Sequence, residues 1–197
     1  MLKNHLKYLL VIITIASFFL YLPVNRVVSG GYNLETPLDK LIPLLPIFAV
    51  PYLLSWVFWL GTIFYINLRQ KKSTAINFDI KLIAAGVFSS IIYLIVPTFA
   101  SRAIINGSDV FSNLVKMIYD NDRSYSAAPS GHTFYSVLCL IALNKLAPKY
   151  KILWFIITAV IILSTFFIKQ HNILDAISGI LFALVISYFT DKIKIGD

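Results

Sequence analysis

Long apolar segments alternate with short polar stretches along the whole sequence. Six of these segments are nearly free of charged residues, and about 17 apolar residues are enough for an α-helix to cross a bilayer. The alternation predicts an all-α polytopic membrane protein, because helices satisfy their own backbone hydrogen bonds in lipid. We expect one integral-membrane domain, residues 1–197, with spans over residues of about 6–22, 44–67, 82–98, 131–148, 152–168 and 173–190.

Two of the polar stretches have a helical periodicity of their own. In residues 38–45 the apolar side chains recur at helical spacing, which predicts a short helix lying along the membrane surface. The longest polar stretch, residues 99–130, contains a similar pattern over residues 110–118, with Ser108 as a possible cap. We expect both short helices at the interface, on the same side of the membrane.

The composition supports a membrane protein. Hydrophobic residues make up 58% of the chain and charged residues 13%, whereas a soluble domain carries about 25% charge. A soluble fold of 197 residues cannot bury so much apolar surface, so the soluble classes are excluded. Cys139 is the only cysteine in the sequence, which excludes an internal disulfide framework.

Basic residues are distributed unevenly between the two sides of the predicted bundle. With the N-terminus in the cytoplasm, 11 of the 17 Lys and Arg residues face the cytoplasm, as the positive-inside rule requires. The net charge of +8 therefore reports topology and does not indicate a nucleic-acid partner. We expect a plasma-membrane protein with both termini cytoplasmic and the short helices outside. The cytoplasmic cations are Lys3, Lys7, Arg69, Lys71, Lys72, Lys81, Lys145, Lys149, Lys151, Lys192 and Lys194.

Two of the three histidines stand at the outer mouths of predicted spans. His171 and Asp175 have the i, i+4 spacing that places two side chains on one helix face. A carboxylate that accepts from one imidazole nitrogen frees the other nitrogen to act as a nucleophile. The alternative is that both residues only cap the helix, although an acid inside an apolar segment is costly without a partner.

His132 opens another apolar segment, directly after Pro129, Ser130 and Gly131. A histidine in this place can give a proton to a leaving oxygen. Free backbone N–H groups at a helix start attract an anion, and Gly131 lets an anion approach the backbone closely. The alternative is an ordinary helix start with an interfacial histidine bonded to a carbonyl group.

Basic residues on the outer side are candidates for holding a phosphate. Arg102 follows the third span and Lys169 precedes the sixth; a guanidinium can bind phosphate by two parallel bonds. The alternative for both is contact with lipid headgroups. Arg123 is better explained as a loop charge beside Asp120 and Asp122, with a phosphate contact as the lesser alternative. The sequence has no Cys/His cluster of zinc type, so we expect no metal.

Taken together, these residues resemble the type-2 phosphatidic acid phosphatase (lipid phosphate phosphatase) family. The three motifs of that family are K-x6-R-P, P-S-G-H and S-R-x5-H-x3-D. The second motif is complete in residues 129–132, and the third is represented by Ser164, His171 and Asp175 at the family spacing. The first motif is present only through Arg102.

The sequence departs from the family motifs at three positions. Ile95 stands where the first motif has lysine, Ala103 replaces its proline, and Thr165 replaces the arginine of the third motif. Two phosphate-binding cations are therefore missing. Lys169 lies one helical turn after Thr165 and is the expected substitute, with Arg123 as the weaker second. The looser pattern is similar to the branch that includes sphingolipid headgroup transferases.

The resemblance implies a metal-independent lipid phosphatase that needs no cofactor and acts at the outer face on a lipid phosphate or diphosphate. A phosphotransferase that moves a phospho-headgroup to an alcohol is the alternative enzyme. A catalytically inactive scaffold or a lipid transporter is the alternative of another class, but a transporter needs ionisable groups near the bilayer middle. The implied roles are His171 as nucleophile through a phosphohistidine, Asp175 as its orienting acid, His132 as proton donor, and Arg102, Lys169, Ser130 and Gly131 as phosphate ligands.

Overall fold

The computed structural model describes residues 2–193 and 195–196, with side chains described from Tyr8 onward. Some of the charges that the sequence assigns to the cytoplasmic side lie outside the described residues or side chains. These are Lys3, Lys7, Lys194 and Asp197.

Helices account for most of the described chain. Two short strands, β1 (Tyr32–Asn33) and β2 (Thr98–Phe99), pair in parallel with Tyr32 opposite Thr98. The helices are α1 (Leu2–Phe18), α2 (Tyr21–Val27), α3 (Pro37–Leu41), α4 (Ala49–Arg69), α5 (Lys72–Ile95), α6 (Val110–Asn121), α7 (Gly131–Leu146), α8 (Lys151–Phe167) and α9 (Ile173–Thr190).

The helices confirm the prediction of a polytopic helical membrane protein. Among the described residues, five helical segments are long and apolar enough to cross a bilayer. Helix α7, where the sequence predicts a further span, has 16 residues and is shorter than these five. The five segments are Tyr8–Val27, Pro46–Arg69, Lys72–Ile95, Pro148–Phe167 and Ile173–Thr190.

Helix α7 lies in the interior of the bundle, where α4, α5, α8 and α9 pack against it. Its side chains Phe134, Leu138 and Cys139 are at most 1% exposed. The indole Nε1 of Trp59 on α4 donates to Ser136 Oγ at 2.9 Å, which satisfies two polar groups inside this core. The surrounding helices therefore fix the start of α7, where the predicted histidine lies.

Helix α5 begins at Lys72, whereas the sequence pattern places the start of the third span near residue 82. The pattern misses these first turns because they are polar and basic. In the structure their buried polar groups have partners on other helices. Asn67 Nδ2 donates to Asp79 Oδ1 at 3.1 Å, and Lys81 Nζ donates to Asp191 Oδ1 at 2.6 Å.

Short elements connect the helices at the end of the bundle where α4, α7 and α9 begin. Helix α3 overlaps the first half of the first periodic stretch and ends at Leu41, and Thr36 and Asp39 form a capping box at its start. Helix α6 lies in the second stretch, but its N-cap is Asp109 and not the predicted Ser108. The Asp109 carboxylate accepts from two backbone N–H groups at 3.0 and 3.1 Å, and a charged acceptor makes a stronger cap than a hydroxyl.

The contact between α7 and α9 depends on a glycine. A Cβ at Gly179 of α9 would lie 2.9 Å from the Ser130 carbonyl oxygen and from Thr133 Cβ. We expect Gly179→Ala to lower the free energy of unfolding by about 1–3 kcal/mol, because α7 and α9 must separate. Gly61→Ala on α4 is the control: of the described atoms, none lies within 4 Å of a Cβ there. Thermal unfolding in detergent compares the two, and equal effects would contradict a close α7–α9 contact.

An ion pair ties the end of α9 to α5 at the opposite end of the bundle. Asp191 accepts from Lys81, whose side chain is 8% exposed, and from Lys145, whose side chain is 62% exposed. Asp191→Ala leaves the buried ammonium group of Lys81 without its carboxylate, so we expect a loss of about 1–3 kcal/mol in unfolding free energy. Lys145→Ala removes only an exposed pair and should cost about 0–1 kcal/mol. A larger loss for Lys145→Ala would contradict this ranking.

The same carboxylate gives the pair a pH dependence. Burial would raise the pKa of Asp191 above its ordinary value of 3.8, but hydrogen bonds from Lys81 and Lys145 outweigh burial and lower the pKa. A lowered pKa stabilises the fold above the ordinary value, and this stabilisation is lost as pH falls through the lowered one. The difference in melting temperature between the wild type and Asp191→Ala should therefore shrink as pH falls from about 5.

Candidate active site

A cavity of about 540 Å³ lies among the ends of the helices and extends into the bundle. Its inner wall is aromatic and includes Phe18, Trp56 and Trp59. Its polar lining comes from the loop after α6, which supplies Asp122 and Arg123, and from the turns that lead into α7 and α9. The cavity therefore combines an apolar wall with a polar mouth, as a site for an amphipathic ligand requires.

A tight turn between α8 and α9 places His171 at this cavity. The Thr165 carbonyl oxygen accepts from the backbone N–H of Gln170 at 2.9 Å and of His171 at 3.2 Å. Lys169, within this turn, has a φ of +54°, a left-handed conformation that is uncommon for a residue with a Cβ. The reversal of the chain therefore fixes the direction of the His171 side chain.

Asp175 lies in the first turn of α9 and is 0% exposed. Its Oδ2 accepts from the backbone N–H of Asn172 at 2.7 Å and so completes a capping box. The same Oδ2 lies 3.8 Å from His171 Nδ1, which is too long for a hydrogen bond. Within the described residues, neither His171 Nδ1 nor Asp175 Oδ1 has a hydrogen-bond partner. Asp175 thus caps the helix and also faces the imidazole.

His132 lies in the first turn of α7 and lines the same cavity. Its ring stacks on Tyr52 with 4.0 Å between centroids and lies 5.2 Å from the ring of Trp59. The ring centroids of His132 and His171 are 6.1 Å apart, so the structure brings the two predicted histidines together. His132 Nε2 is buried and has no hydrogen-bond partner in the part of the chain that the structure describes.

The two residues before His132 have different surroundings. Ser130 is 0% exposed, its Oγ accepts from the Thr133 N–H at 3.4 Å, and its own N–H donates to the Asp175 carbonyl oxygen at 3.0 Å. The predicted phosphate ligand Ser130 is therefore engaged in holding α7 against α9. Gly131 lines the cavity, where a Cβ would meet only Phe134 at 4.0 Å among the described atoms.

Arg102 lies beside the cavity and is engaged by protein acceptors. Its guanidinium donates to the carbonyl oxygens of Tyr119, at 2.7 Å, and of Asp122, and to Gln170 Oε1 at 2.8 Å. The guanidinium also lies over the ring of Tyr119, 4.4 Å from its centroid. In this geometry Arg102 joins the end of α6 to the turn before α9, and it is not among the described residues that line the cavity.

Lys169, which the sequence predicts as a phosphate ligand, is not among the described residues that line the cavity. Its Nζ donates to the carbonyl oxygens of Asp39 at 2.9 Å and Ile42 at 2.6 Å, at the C-terminal end of α3. A cation is favourable there because the carbonyl groups of a last helical turn are partly unpaired. Asp39 Oδ1 also accepts from the Ile173 N–H at 2.8 Å, so α3 holds the His171 turn on both sides. The left-handed backbone at Lys169 directs its side chain to α3.

The cations that line the cavity, among the described residues, are Arg26 and Arg123. Arg123 Nη1 donates to the carbonyl oxygens of Asn25 at 3.0 Å and Arg26 at 2.6 Å, and the guanidinium lies over the ring of Tyr125. From sequence, a phosphate contact was only the lesser alternative for Arg123, and no role was predicted for Arg26. The only sequence signal for a contact with the cavity was that both arginines lie in outer polar loops, close along the chain to predicted spans.

Asp122 and Gln170 also line the cavity and were not singled out from sequence. Asp122 Oδ2 accepts from Tyr52 Oη and from Gln170 Nε2, each at 3.3 Å. Burial raises the pKa of the Asp122 carboxyl, although the nearby His171 and Arg102 act to lower it. The sequence signal that could have identified these two residues is their place next to predicted site residues: Gln170 precedes His171, and Asp122 precedes Arg123.

A sequence model described as the PAP2 superfamily matches residues 33–189. The matched range covers most of the chain and confirms the resemblance to type-2 phosphatidic acid phosphatases that residues 129–132 and 164–175 carry. Comparisons with curated proteins and with solved structures found no match. Members of this superfamily are generally phosphatases, and the long apolar helices are those of a membrane protein. The chain belongs to the PAP2 superfamily and is a membrane protein of phosphatase type.

Proposed function

We propose that this protein is a membrane-integral lipid phosphatase that works through a phosphohistidine. The observation that carries the proposal is the pair of imidazole rings, His132 and His171, 6.1 Å apart in one cavity with a polar mouth and an aromatic wall. This separation suits a phosphoryl group between them, since reacting atoms in a bound substrate lie about 3–3.5 Å apart. The aromatic wall is suited to the apolar part of a lipid.

The first chemical step forms a phosphorus–nitrogen bond. His171 Nε2 attacks phosphorus in line while the bond from phosphorus to the lipid oxygen breaks. His132, in its protonated form, gives a proton to that oxygen, and the lipid alcohol leaves. Asp175 stabilises the positive charge that develops on His171 through Nδ1–H. The 3.8 Å gap between His171 Nδ1 and Asp175 must then shorten, as catalytic hydrogen bonds commonly do when substrate binds.

The second step returns the enzyme to its starting state. A water molecule attacks phosphorus from the side that the lipid alcohol left, and neutral His132 takes the proton of that water. The phosphorus–nitrogen bond breaks, and the electron pair returns to His171 Nε2. Inorganic phosphate then leaves. Besides the attack by His171 and the proton transfers by His132, both steps depend on positioning of the substrate and on stabilisation of its charged oxygens.

Arg123 and Arg26 hold the phosphate oxygens in this proposal, together with the backbone at Gly131. Both arginines line the cavity, whereas Lys169 and Arg102 are not among the described lining residues; Arg123 also donates through Nη1 to the carbonyl oxygens of Asn25 and Arg26. The N–H groups of the first turn of α7 add favourable dipoles for an anion. Arg102 and Lys169 then support the site by fixing the chain around it.

The proposed topology has six spans, with α7 as the span that is surrounded by protein. The cavity mouth lies on the extracytoplasmic face of the plasma membrane, and both termini are cytoplasmic. The excess of basic residues on the opposite side of the bundle supports this orientation. Helices α3 and α6 lie in the outer interface, which the exposed apolar side chains Leu41 and Val110 support, being 79% and 72% exposed.

The direct test of the proposed function is phosphate release from a panel of lipid phosphates by the purified protein. The panel contains phosphatidic acid, phosphatidylglycerol phosphate, a polyprenyl diphosphate and a sphingoid phosphate. We expect release from at least one lipid, and a loss of about 10³-fold or more in His171→Ala, because the nucleophile is gone. His5→Ala is the control, because the sequence predicts no role for His5. Full activity in His171→Ala would contradict the proposed nucleophile.

The choice of phosphate-binding cation is tested with matched substitutions. Arg123→Ala should lower kcat/KM by about 10- to 100-fold, since charged hydrogen bonds contribute about 1.5–3 kcal/mol. Lys116→Ala is the control, because Lys116 of α6 donates through Nζ to the Gly107 carbonyl oxygen and is not among the described residues that line the cavity. Melting temperatures show that each variant is folded. Equal losses in the two variants would contradict a phosphate contact by Arg123.

A phosphotransferase is the second candidate function, and the charge of the site favours it. At the positions of the two missing family cations, Ile95 is 72% exposed and Thr165 is 0% exposed, and Asp122 adds a carboxyl group to the cavity. A site with fewer cations favours a phosphodiester with one charge over a phosphomonoester with two. Offering alcohol acceptors and looking for a new phospholipid distinguishes transfer from hydrolysis. If the wild type acts on none of these lipids, an inactive scaffold becomes the better explanation.

A further inference from the structure

Asp122 occupies an unfavourable position for a carboxylate. It is the C-cap of α6, directly after Asn121, and its backbone N–H donates to the Ile118 carbonyl oxygen at 2.9 Å. The carbonyl groups of a last helical turn carry partial negative charge, so an acid at this end is destabilising. The side chain is also partly buried at a cavity where an anion is proposed to bind. Such a placement calls for a function that outweighs its cost.

One hydrogen bond of Asp122 leads to the turn that carries His171. Asp122 Oδ2 accepts from Gln170 Nε2 at 3.3 Å, and Gln170 is the residue directly before His171. The Gln170 side chain is 5% exposed, and its Oε1 accepts from Arg102 at 2.8 Å. Both ends of this amide are therefore held, which limits rotation of the backbone at His171.

A second hydrogen bond of Asp122 leads to the ring of His132. Tyr52 Oη donates to Asp122 Oδ2 at 3.3 Å, and the Tyr52 ring stacks on the His132 ring with 4.0 Å between centroids and 22° between planes. Tyr52 is 4% exposed and packs in a cluster with Val115 and Ile118 of α6. The carboxylate therefore fixes the tilt of the ring on which the imidazole of His132 rests.

The Asp122 backbone is fixed as well. Its carbonyl oxygen accepts from the Arg102 guanidinium, which also bonds Gln170 and the Tyr119 carbonyl oxygen. The buried side chains Val115 and Ile118 hold α6 against α4, at 0% and 5% exposure. The end of α6 is thus held in place, and it presents Asp122 Oδ2 to both Tyr52, which stacks on His132, and Gln170, which precedes His171.

We propose that Asp122 is a positioning residue that sets the orientation of His132 and His171 relative to each other through Tyr52 and Gln170. The proposal rests on the proposed function of the two histidines and adds a residue outside the three family motifs. A carboxylate suits this role because it only accepts hydrogen bonds and can receive two donors on one oxygen. Asparagine keeps one carbonyl oxygen in the same place, whereas alanine keeps none.

The test measures kcat and KM of four variants on the lipid that the wild type hydrolyses best. Asp122→Ala should lower kcat by about 10- to 100-fold with KM changed less than about threefold, because binding groups are untouched. Asp122→Asn should recover most of the lost kcat. Tyr52→Phe breaks the bond to Asp122 and also the 3.3 Å bond from Gln170 Nε2 to Tyr52 Oη, so in an Asp122→Ala background it should add only the loss of that second bond. Asp120→Ala, an exposed acid of the same helix, is the matched control.

A second measurement does not depend on turnover. Diethylpyrocarbonate modifies accessible imidazoles, and peptide mass spectrometry reports its extent at His5, His132 and His171 separately, these being the three histidines of the chain. With His5 as the internal reference, Asp122→Ala should increase modification of His132 and His171 at least about twofold over the wild type, and Asp120→Ala should not. This result stands even if the proposed lipid substrate is wrong.

Three outcomes would overturn the proposal. If kcat and histidine modification of Asp122→Ala match the wild type, Asp122 holds neither histidine. If KM rises and kcat is unchanged, Asp122 contacts the substrate itself. If Asp122→Asn is as inactive as Asp122→Ala, the charge matters and the hydrogen-bond geometry does not. If the wild type hydrolyses none of the lipids, that result counts against the proposed function. The modification assay still tests whether Asp122 positions the two histidines.

Discussion

The hydrogen bond from the Ser130 N–H to the Asp175 carbonyl oxygen, 3.0 Å long, joins the starts of α7 and α9, and the rest of the site depends on it. Ser130 begins the helix that carries His132, and Asp175 lies in the first turn of the helix that follows His171. Gly179 allows this close approach because α9 presents no Cβ to the Ser130 backbone. Ser130 and Asp175 belong to separate sequence motifs, but in the structure they are in direct contact.

Sequence periodicity gave the two helices of the site almost to the residue. The predicted spans 131–148 and 173–190 correspond to Gly131–Leu146 and Ile173–Thr190, because each begins at a sharp change from polar to apolar residues. The pattern failed where polar groups pair across helices: α5 starts at Lys72, before the predicted residue 82. Partners such as Asp191 for Lys81 are far apart in sequence and leave no local signal.

Side-chain direction explains why the predicted histidines meet and the predicted cations do not. His132 and His171 are fixed by helix starts, which sequence locates well. Lys169 lies in a turn with a φ of +54°, and this conformation sends its side chain to α3. Arg102 has its carbonyl acceptors at the C-terminal end of α6, a helix whose position is set by its packing on α4. Only the folded chain shows that Arg123 and Arg26 line the cavity.

The central claim is that phosphate passes through a covalent bond to His171, and trapping that bond is its most direct test. The purified protein is mixed with a lipid carrying labelled phosphate, and the reaction is stopped in alkali within the first turnover, because phosphohistidine survives alkali and is cleaved by acid. We predict label on the peptide that contains His171, and none in His171→Ala. Turnover without a labelled protein, or label on His132 instead, would contradict the mechanism.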